Sequence, residues 1–504
     1  METVAGWGGL FWGWLLFRRM EKNMQKRNDT VYVCLSSERY TPFSLAKKIG
    51  AKAILESASF NKGRERYSII MAEEAFKIVQ DEEGAAFLID GRRLPFNAEG
   101  VVSKNAVGQT KEADVLDALV YLAGQNECPV KDIPLPASGI GYLSYEFVQR
   151  CDTVRLENQF DELRIPECCF VAGHIYIVFD HFTEKLHIFG LNYSERQIDL
   201  KKKVDELVKK LGNMDFSYME QTEEAASCKV ITNIEQSKKE YCEKVVELKK
   251  HIVAGDIVQA VPSRRIQLEC DMSALELYRR LRLINPSPYL MYIDFGDFQL
   301  AGASPESLVR VVGGRASIHP IAGTIRRGKN EAEDEKLKLQ LLADPKENAE
   351  HLMLVDLARN DLGRVCAPGS VKVTQYMETE TFSHVIHLVS NVEGDVAEGI
   401  TPVQVLRASF PAGTLSGAPK ISAMQIVSRL EKTKRRFYAG AVGYIRPNGD
   451  LDFCIAIRCA LKQGKVWTLQ AGSGIVYDSV PEREFEETNE KLGALIATFE
   501  TEEK

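Results

Sequence analysis

The hydrophobic rhythm of the chain changes several times, and the changes mark out its elements. Period-two alternation in HIYIVFD (His174 to Asp180) and KLHIFGL (Lys185 to Leu191) predicts strands, whereas DVLDALVYLAG (Asp114 to Gly124) keeps helical spacing. Tyr241, Val245, Leu248 and Ile252 hold helical spacing too, and Gly255 supplies a left-handed stop. The β-branched run SHVIHLVSNV predicts a strand on which His384 and His387, three apart, face opposite ways. They make poor joint metal ligands, although one imidazole can serve as an acid or base near neutral pH; a core histidine bonded to a backbone carbonyl is the plainer reading.

Two helical stretches place carboxylates where they cost energy. In PKENAEHLMLVDLARNDL (Pro345 to Leu362), Glu350 shares a face with Met353, Leu354 and Leu357. A buried, unpaired carboxylate takes up a proton or finds a cation, so Glu350 calls for a lysine, an arginine or a metal, unless it reaches water from the stripe's edge. Near the C-terminus, AGSGIV (Ala471 to Val476) ends a strand, and Ser479, Pro481 and Glu482 read as a capped helix start. On that helix Glu484 and Glu487 share one face, a repulsion of about 0.2–0.5 kcal/mol. A hard cation such as magnesium would reverse its sign; a solvated acidic face is the alternative.

Strand-rich stretches separated by helices indicate an α+β fold. Residues 31–211 form an N-terminal region, the polar, aperiodic stretch 212–237 reads as a linker or long surface loop, and 238–504 form the remainder. Residues 1–30 stand apart. The apolar run Ala5 to Phe17, followed by Arg18 and Arg19, falls short of the ~20 residues needed to span a bilayer and lacks the preceding positive charge of a secretory signal. It reads as an extension outside the fold, with a weak interfacial anchor as the alternative.

A net charge of −7 without any lysine- or arginine-rich tract argues against a nucleic-acid surface. The 11 cysteines include no CxxC pair, which predicts reduced thiols in the cytoplasm and neither a zinc ribbon nor a disulfide framework. Three glycine-rich corners remain: PIAGTIRRG (Pro320 to Gly328), GTLSGAPK (Gly413 to Lys420) and AGSGIV. Such corners let backbone approach a ligand, and GTLSGAPK opens a helix (Ile421 to Leu430) whose N–H groups suit an anion, so the expected ligand is a carboxylated or phosphorylated small molecule.

These corners, taken with LESA (Leu55 to Ala58), NPSPY (Asn285 to Tyr289), GASPE (Gly302 to Glu306), ENAEHLMLVDLARNDLGRV, IHLVS, GYIRPNGDLDFCIAIR and AGSGIVYDSVPEREFEET, carry a resemblance. From about Val31 onward the chain resembles the chorismate-utilising enzymes, most of all the branch that makes anthranilate. The resemblance implies a large α/β sandwich on two antiparallel sheets with surrounding helices. It implies a magnesium ion held by Glu350 and Glu484, with Glu487 beside them, against the ring carboxylate of chorismate. The second substrate carboxylate is expected near Gly472, Ser473, Gly474, Tyr438 and Arg458, with Thr414 and Gly417 lining the pocket. Glu306 matches the acid that protonates the departing C4 hydroxyl, His387 matches the group assisting pyruvate loss, and Thr324 is a further catalytic position.

Two positions bear on the nucleophile. Isochorismate and salicylate synthases carry a lysine base where this chain has Gln259, and many aminodeoxychorismate synthases carry a lysine where it has Ala322. Ammonia adding at C2 is what the resemblance leaves, with formation of aminodeoxychorismate as the alternative. No G-x-C-x-G nucleophile elbow surrounds any cysteine, so the resemblance implies a separate glutamine amidotransferase subunit as ammonia source. LESA and NPSPY match a tryptophan feedback site, with Glu56, Ser57, Asn285, Pro286, Ser287 and Tyr289 as contacts, although Leu290 and Met291 depart from the usual pattern.

Overall fold

The computed structural model describes residues 28–500 except 29, 60–62, 98–102, 106–107, 158–159, 214, 216–226 and 382–384. The extension at 1–27 and His384 therefore lie outside the described residues. Among the described residues no helix is long and apolar enough to cross a membrane.

The architecture is α+β, and 21 strands form one continuous antiparallel network. At its centre the 19-residue strand Gly63–Asp81 pairs with Cys168–Asp180. Every position of Cys168–Asp180 is buried, so the alternation in HIYIVFD marks a strand covered on both faces. Two wings spring from this pair. The first runs through Ile140–Leu143, Ala441–Ile445, Leu451–Ile455, Ser307–Val312 and Arg315–Ile318 to Val385–Asp395. The second runs through Ala53–Ser59, Tyr289–Asp294, Gln299–Ser304, Cys459–Gln463 and Val466–Gly472 to Ser263–Cys270. The two expected sheets are thus joined through shared central strands, and each wing mixes strands from 31–211 with strands from 238–504.

The chain crosses between the wings twice near the site. One crossing lies at Pro305–Glu306, between Gln299–Ser304 and Ser307–Val312; the other lies at 456–458, between Leu451–Ile455 and Cys459–Gln463. The crossings are stitched together: Ile455 N donates to Glu306 O (3.0 Å) and Ala303 N to Arg458 O (3.0 Å).

Local signals place most helices. Asn233 caps Ile234–Ala254, which buries Tyr241, Val245 and Leu248 and stops at Gly255 with φ +82°. Asp114 caps Val115–Ala123 and accepts from Leu116 N. Three expectations are corrected. Helix Pro481–Ala497 has Val480 at its cap and no side-chain cap bond; Ser479 instead closes the preceding turn, accepting from Val476 N through its hydroxyl (3.1 Å). Within 212–237, Cys228–Val230 is a strand paired with Ser263–Cys270. Register sets Cys228 opposite Cys270, and the two form a disulfide where reduced thiols were expected. A sequence separation of 42 carried no trace of that adjacency.

A buried ion pair fastens the two regions. Asp114 (fully buried) accepts from Arg407 Nη1 (2.9 Å) and Nη2 (2.8 Å) on helix Pro402–Ser409, with Lys111 on the same carboxylate. Burial pushes the carboxyl up, but Arg407 and Lys111 outweigh it and hold it well below the usual range. Asp114→Asn keeps a cap but takes the bidentate carboxylate from a buried guanidinium, leaving it only the longer contact to Asp117 (3.4 Å), and should lower the unfolding free energy by about 3–5 kcal/mol in urea titrations. Adding Arg407→Met should recover part of the loss; a single-variant loss below about 1 kcal/mol would show that the pair is dispensable.

Candidate active site

Four side chains gather where the wings exchange strands. Glu306, on the first crossing, is buried and accepts from Thr414 Oγ1 (3.0 Å) at Oε1. Burial pushes its carboxyl up to about 8, against smaller downward pulls from Thr414, Arg458 and Lys491. It is a protonated acid at neutral pH. Arg458, on the second crossing, has φ +53°, a conformation uncommon for a side chain with a Cβ. Burial lowers its pKa, and among the described residues it has no ion-pair partner, so the site holds a cation awaiting an anion. Tyr438, buried, sits within range of Arg458, and burial pushes its phenol up to about 12.

His387 lies on Val385–Asp395, opposite Thr324 in register. Its Nδ1 is 3.0 Å from Gly323 O; a carbonyl only accepts, so Nδ1 carries the proton and Nε2 is the basic nitrogen. Burial, reinforced by Arg458 and Lys491, brings its pKa down to about 4 and leaves a neutral base. The expected bond to a backbone carbonyl is present, and it leaves Nε2 as the unprotonated nitrogen. For Thr324 only the backbone position is described.

The acids come from two helices. Helix Pro345–Gly363 carries Glu347 and Glu350; helix Pro481–Ala497 carries Glu484 and Glu487. Burial raises the pKa of Glu350, Glu347 and Glu487 raise it further, and Lys491 and a bond from Gln259 Nε2 (3.2 Å) oppose them. Glu484 is buried with Oε2 lacking a hydrogen-bond partner. Glu487 is partly exposed and pairs with Lys491 Nζ (2.8 Å), which also donates to Gly472 O (3.0 Å). Among the described residues no three carboxylate, imidazole or thiol groups are already gathered as a metal cluster. The orphaned oxygen of Glu484 and the mutually repelling Glu347, Glu350 and Glu487 nevertheless have the donor chemistry of a hard divalent cation.

Backbone corners bring these helices together. A Cβ on Gly474 would lie 2.6 Å from Gln259 Nε2 and 3.5 Å from Glu350 Oε1. At Gly417 (φ +123°) it would lie 2.3 Å from Gln259 O, so this glycine lets the GTLSGAPK corner pack on the backbone that orients Gln259. Ser473 is held within the corner itself. Both its hydroxyl (2.7 Å) and its N–H (3.1 Å) bond Tyr241 Oη, which makes it a fastener of the corner.

The profile described as chorismate binding enzyme matches residues 70–497. Anthranilate synthase component 1 of Spirochaeta aurantia is 47% identical over 467 residues, 92% of this chain and 94% of that protein, and its Bacillus subtilis (strain 168) counterpart is 36% identical over 501 residues, 95% and 94% of the two chains. The chain belongs to the anthranilate synthase component 1 family of chorismate-binding enzymes. Anthranilate synthase component I from Streptococcus pneumoniae TIGR4 superposes with a TM-score of 0.73 at 35% identity, covering 86% of this chain and 92% of that one. The menaquinone-specific isochorismate synthase of Escherichia coli (17% identity, TM-score 0.66, 96% and 98% covered) shares the fold.

The segments read as a family effector site also meet. Leu290 pairs with Glu56, and Ala58 N donates to Ser287 O (3.0 Å). Glu56, buried, accepts from Tyr278 Oη (2.6 Å) and lies 3.3 Å from Arg282 Nε; Tyr289 Oη donates to Asp452 (3.1 Å). Ser57, Asn285 and Pro286 are partly buried, and Ser287 is buried with its hydroxyl donating to Asn285 O (3.2 Å).

Two site residues were missed in the sequence. Glu347 repeats on its helix the three-residue spacing that singled out Glu484 and Glu487, and Lys491 follows Glu487 by four, the spacing of a helical ion pair. Both signals were present.

Glu306 also makes stability depend on pH. Its folded pKa of about 8 lies above the ordinary 4.5, so its favourable contribution is complete below 4.5 and is lost as pH rises towards 8. Glu306→Gln cannot ionise. Its stability relative to the parent chain should be constant below pH 4.5 and should grow by about 1.4 kcal/mol per pH unit up to 8, read from urea unfolding. A pH-independent difference would place Glu306 in water.

Proposed function

We propose that this chain is the chorismate-converting component of an anthranilate synthase, joining ammonia to chorismate and releasing anthranilate and pyruvate. The observation that carries the reading is the seam itself, where an acid raised by burial (Glu306), a histidine kept neutral (His387) and a cation without an ion-pair partner among the described residues (Arg458) lie within electrostatic range, Arg458 acting on both of the others.

Arg458 and Tyr438 bind the pyruvyl carboxylate beside Gly472 and Gly474, which fixes the ring against Thr414 and Glu306. Glu306 gives its proton to the C4 hydroxyl, which departs as water while ammonia adds at C2 and the ring double bonds shift. His387 Nε2 then takes the C2 proton; the C3–O bond breaks with its electrons leaving on oxygen, the ring becomes aromatic, and the departing enolpyruvate takes up a proton to become pyruvate. Gln259 is an amide and cannot deprotonate water, and its buried Oε1 has no partner, which suits an incoming N–H donor. Magnesium held by Glu350, Glu484 and Glu487 would neutralise the ring carboxylate and withdraw electrons from the ring. A glutamine amidotransferase subunit as ammonia source, tryptophan as inhibitor at Glu56, Ser57 and Asn285 to Tyr289, and a cytoplasmic location complete the reading. The first is supported by the missing nucleophile elbow and the second by the meeting of LESA and NPSPY.

The test uses the purified chain with chorismate, magnesium and an ammonium salt. A fluorescent aromatic amine with equimolar pyruvate is expected; a non-aromatic amine, or pyruvate without amine, overturns the reading. Normalised to free ammonia, kcat should fall above pH 8 as Glu306 loses its proton, and a profile flat to pH 10 would remove Glu306 as the acid. Glu484→Gln should abolish turnover and weaken magnesium binding by at least about tenfold in calorimetric titration, with the fold intact by circular dichroism. Unchanged affinity would take Glu484 out of the cation site.

A further inference from the structure

Glu306 and Thr414 border a second space that none of Arg458, Tyr438, His387, Gln259 or Glu350 reaches. Its volume is about 30 Å³, room for one or two water molecules. Helix Pro345–Gly363 walls it with Leu354, Leu357 and Ala358 and, at another point, with the buried carboxyl of Asp361. Ser409 adds a hydroxyl. Asp361 accepts from Lys420 Nζ (2.8 Å), whose side chain retains access to solvent. The polar groups thus follow one another from the acid of the site to the surface: Glu306, the chamber, Asp361, Lys420.

This order matters because the reaction proposed above takes a proton from Glu306 in every turnover. Overall charge balances, since the amine formed at C2 gives a proton up, but that proton is released on the substrate side. Glu306 itself is buried, and with chorismate or anthranilate in the pocket its carboxylate faces ligand. We infer that the chamber is the route by which Glu306 is reprotonated: the O–H bond of Asp361 breaks, a chamber water passes a proton to the Glu306 carboxylate, and Asp361 regains a proton from solvent beside Lys420. The ammonium of Lys420 holds the transient Asp361 anion. Burial favours a protonated Asp361 against the pull of Lys420, in keeping with a donor. Asp361 touches no reacting atom and is a positioning and relay residue; the inference rests on Glu306 being the acid.

The experiment compares Asp361→Asn with the unaltered chain, both full length, with chorismate, magnesium and ammonium. The variant should lose about tenfold in kcat with KM for chorismate unchanged, show a larger solvent deuterium isotope effect on kcat, and regain rate as a small carboxylic acid such as formate buffer is added. Unchanged kcat and isotope effect in a folded variant overturn the relay, as does a loss of activity that no added acid restores. Should Asp361→Asn fail to fold, Ala412→Val, which narrows the chamber and leaves the charges in place, must raise the isotope effect, and an unaltered effect overturns the proposal. Glu306→Gln separates the two claims: full turnover in that variant sinks the acid assignment, whereas its loss beside an unaffected Asp361→Asn sinks the relay alone.

Discussion

The site depends on one constraint of an antiparallel ladder, that a strand leaving one wing for the other must break its pairing at the crossing. Residues at such a break leave the ladder, and their side chains are released from the strict alternation of the pleat. The chain crosses at Glu306 and again next to Arg458, and the bonds Ile455 N to Glu306 O and Ala303 N to Arg458 O hold the crossings in one place. An acid and a cation 152 positions apart in sequence are thereby fixed by backbone, and Arg458 accepts a left-handed φ to stay there.

Around that seam the fold keeps charges from neutralising one another. Glu306 is desolvated and bonded to a hydroxyl, not an arginine; Arg458 is half-buried and has no ion-paired carboxylate among the described residues; His387 donates to a carbonyl. Contrast Asp114 with Arg407, or Glu431 with Arg435, where opposite charges are brought into bidentate contact and the carboxylates are driven down. Those pairs lie at joints between elements, where a fixed geometry is what matters. The seam's charges are held in tension and supported by these joints: Arg435 donates to Leu415 O and Val261 O, tying together the segments that present Thr414 and Gln259.

Local rhythm made many of these residues legible and left their neighbours invisible. Period located the helix bearing Glu350 and the strand bearing His387, because burial on one face leaves its period in the sequence, and Pro481 marked the start of the helix bearing Glu484. What stands across a face leaves none. The disulfide partner of Cys228, the joining of two sheets into one network and the role of Ser473 all depend on which segment lies opposite, and sequence position does not state that. Ser479 shows a different failure: its spacing to Glu482 satisfied the capping pattern, but its hydroxyl was claimed by Val476 N, and Pro481 alone sufficed to start the helix. Glu347 and Lys491 were readable by the same rule, from their three- and four-residue spacing to Glu350 and Glu487.

The same ladder gives the effector reading a physical form. Tyr289 pairs with Ser304 in register, and the Ser304 hydroxyl donates to Ile455 O (2.6 Å) while lying 3.5 Å from Glu306 N. The strand that would present Tyr289 to a ligand therefore ends one rung from the backbone that holds the acid. A ligand wedged between Glu56 and Tyr289 gains influence over catalysis only if its contacts differ between two settings of this rung, because equal affinity for both shifts nothing. The buried Glu56, held by Tyr278 and near Arg282, and the Tyr289 bond to Asp452 are the contacts such a ligand would have to exchange. Asp452 lies on Leu451–Ile455, the strand that enters the crossing at Arg458, so a shift at Tyr289 bears on both ends of the seam at once. Inhibition would then act through displacement of acid and cation relative to each other, with no need to occupy the chorismate pocket.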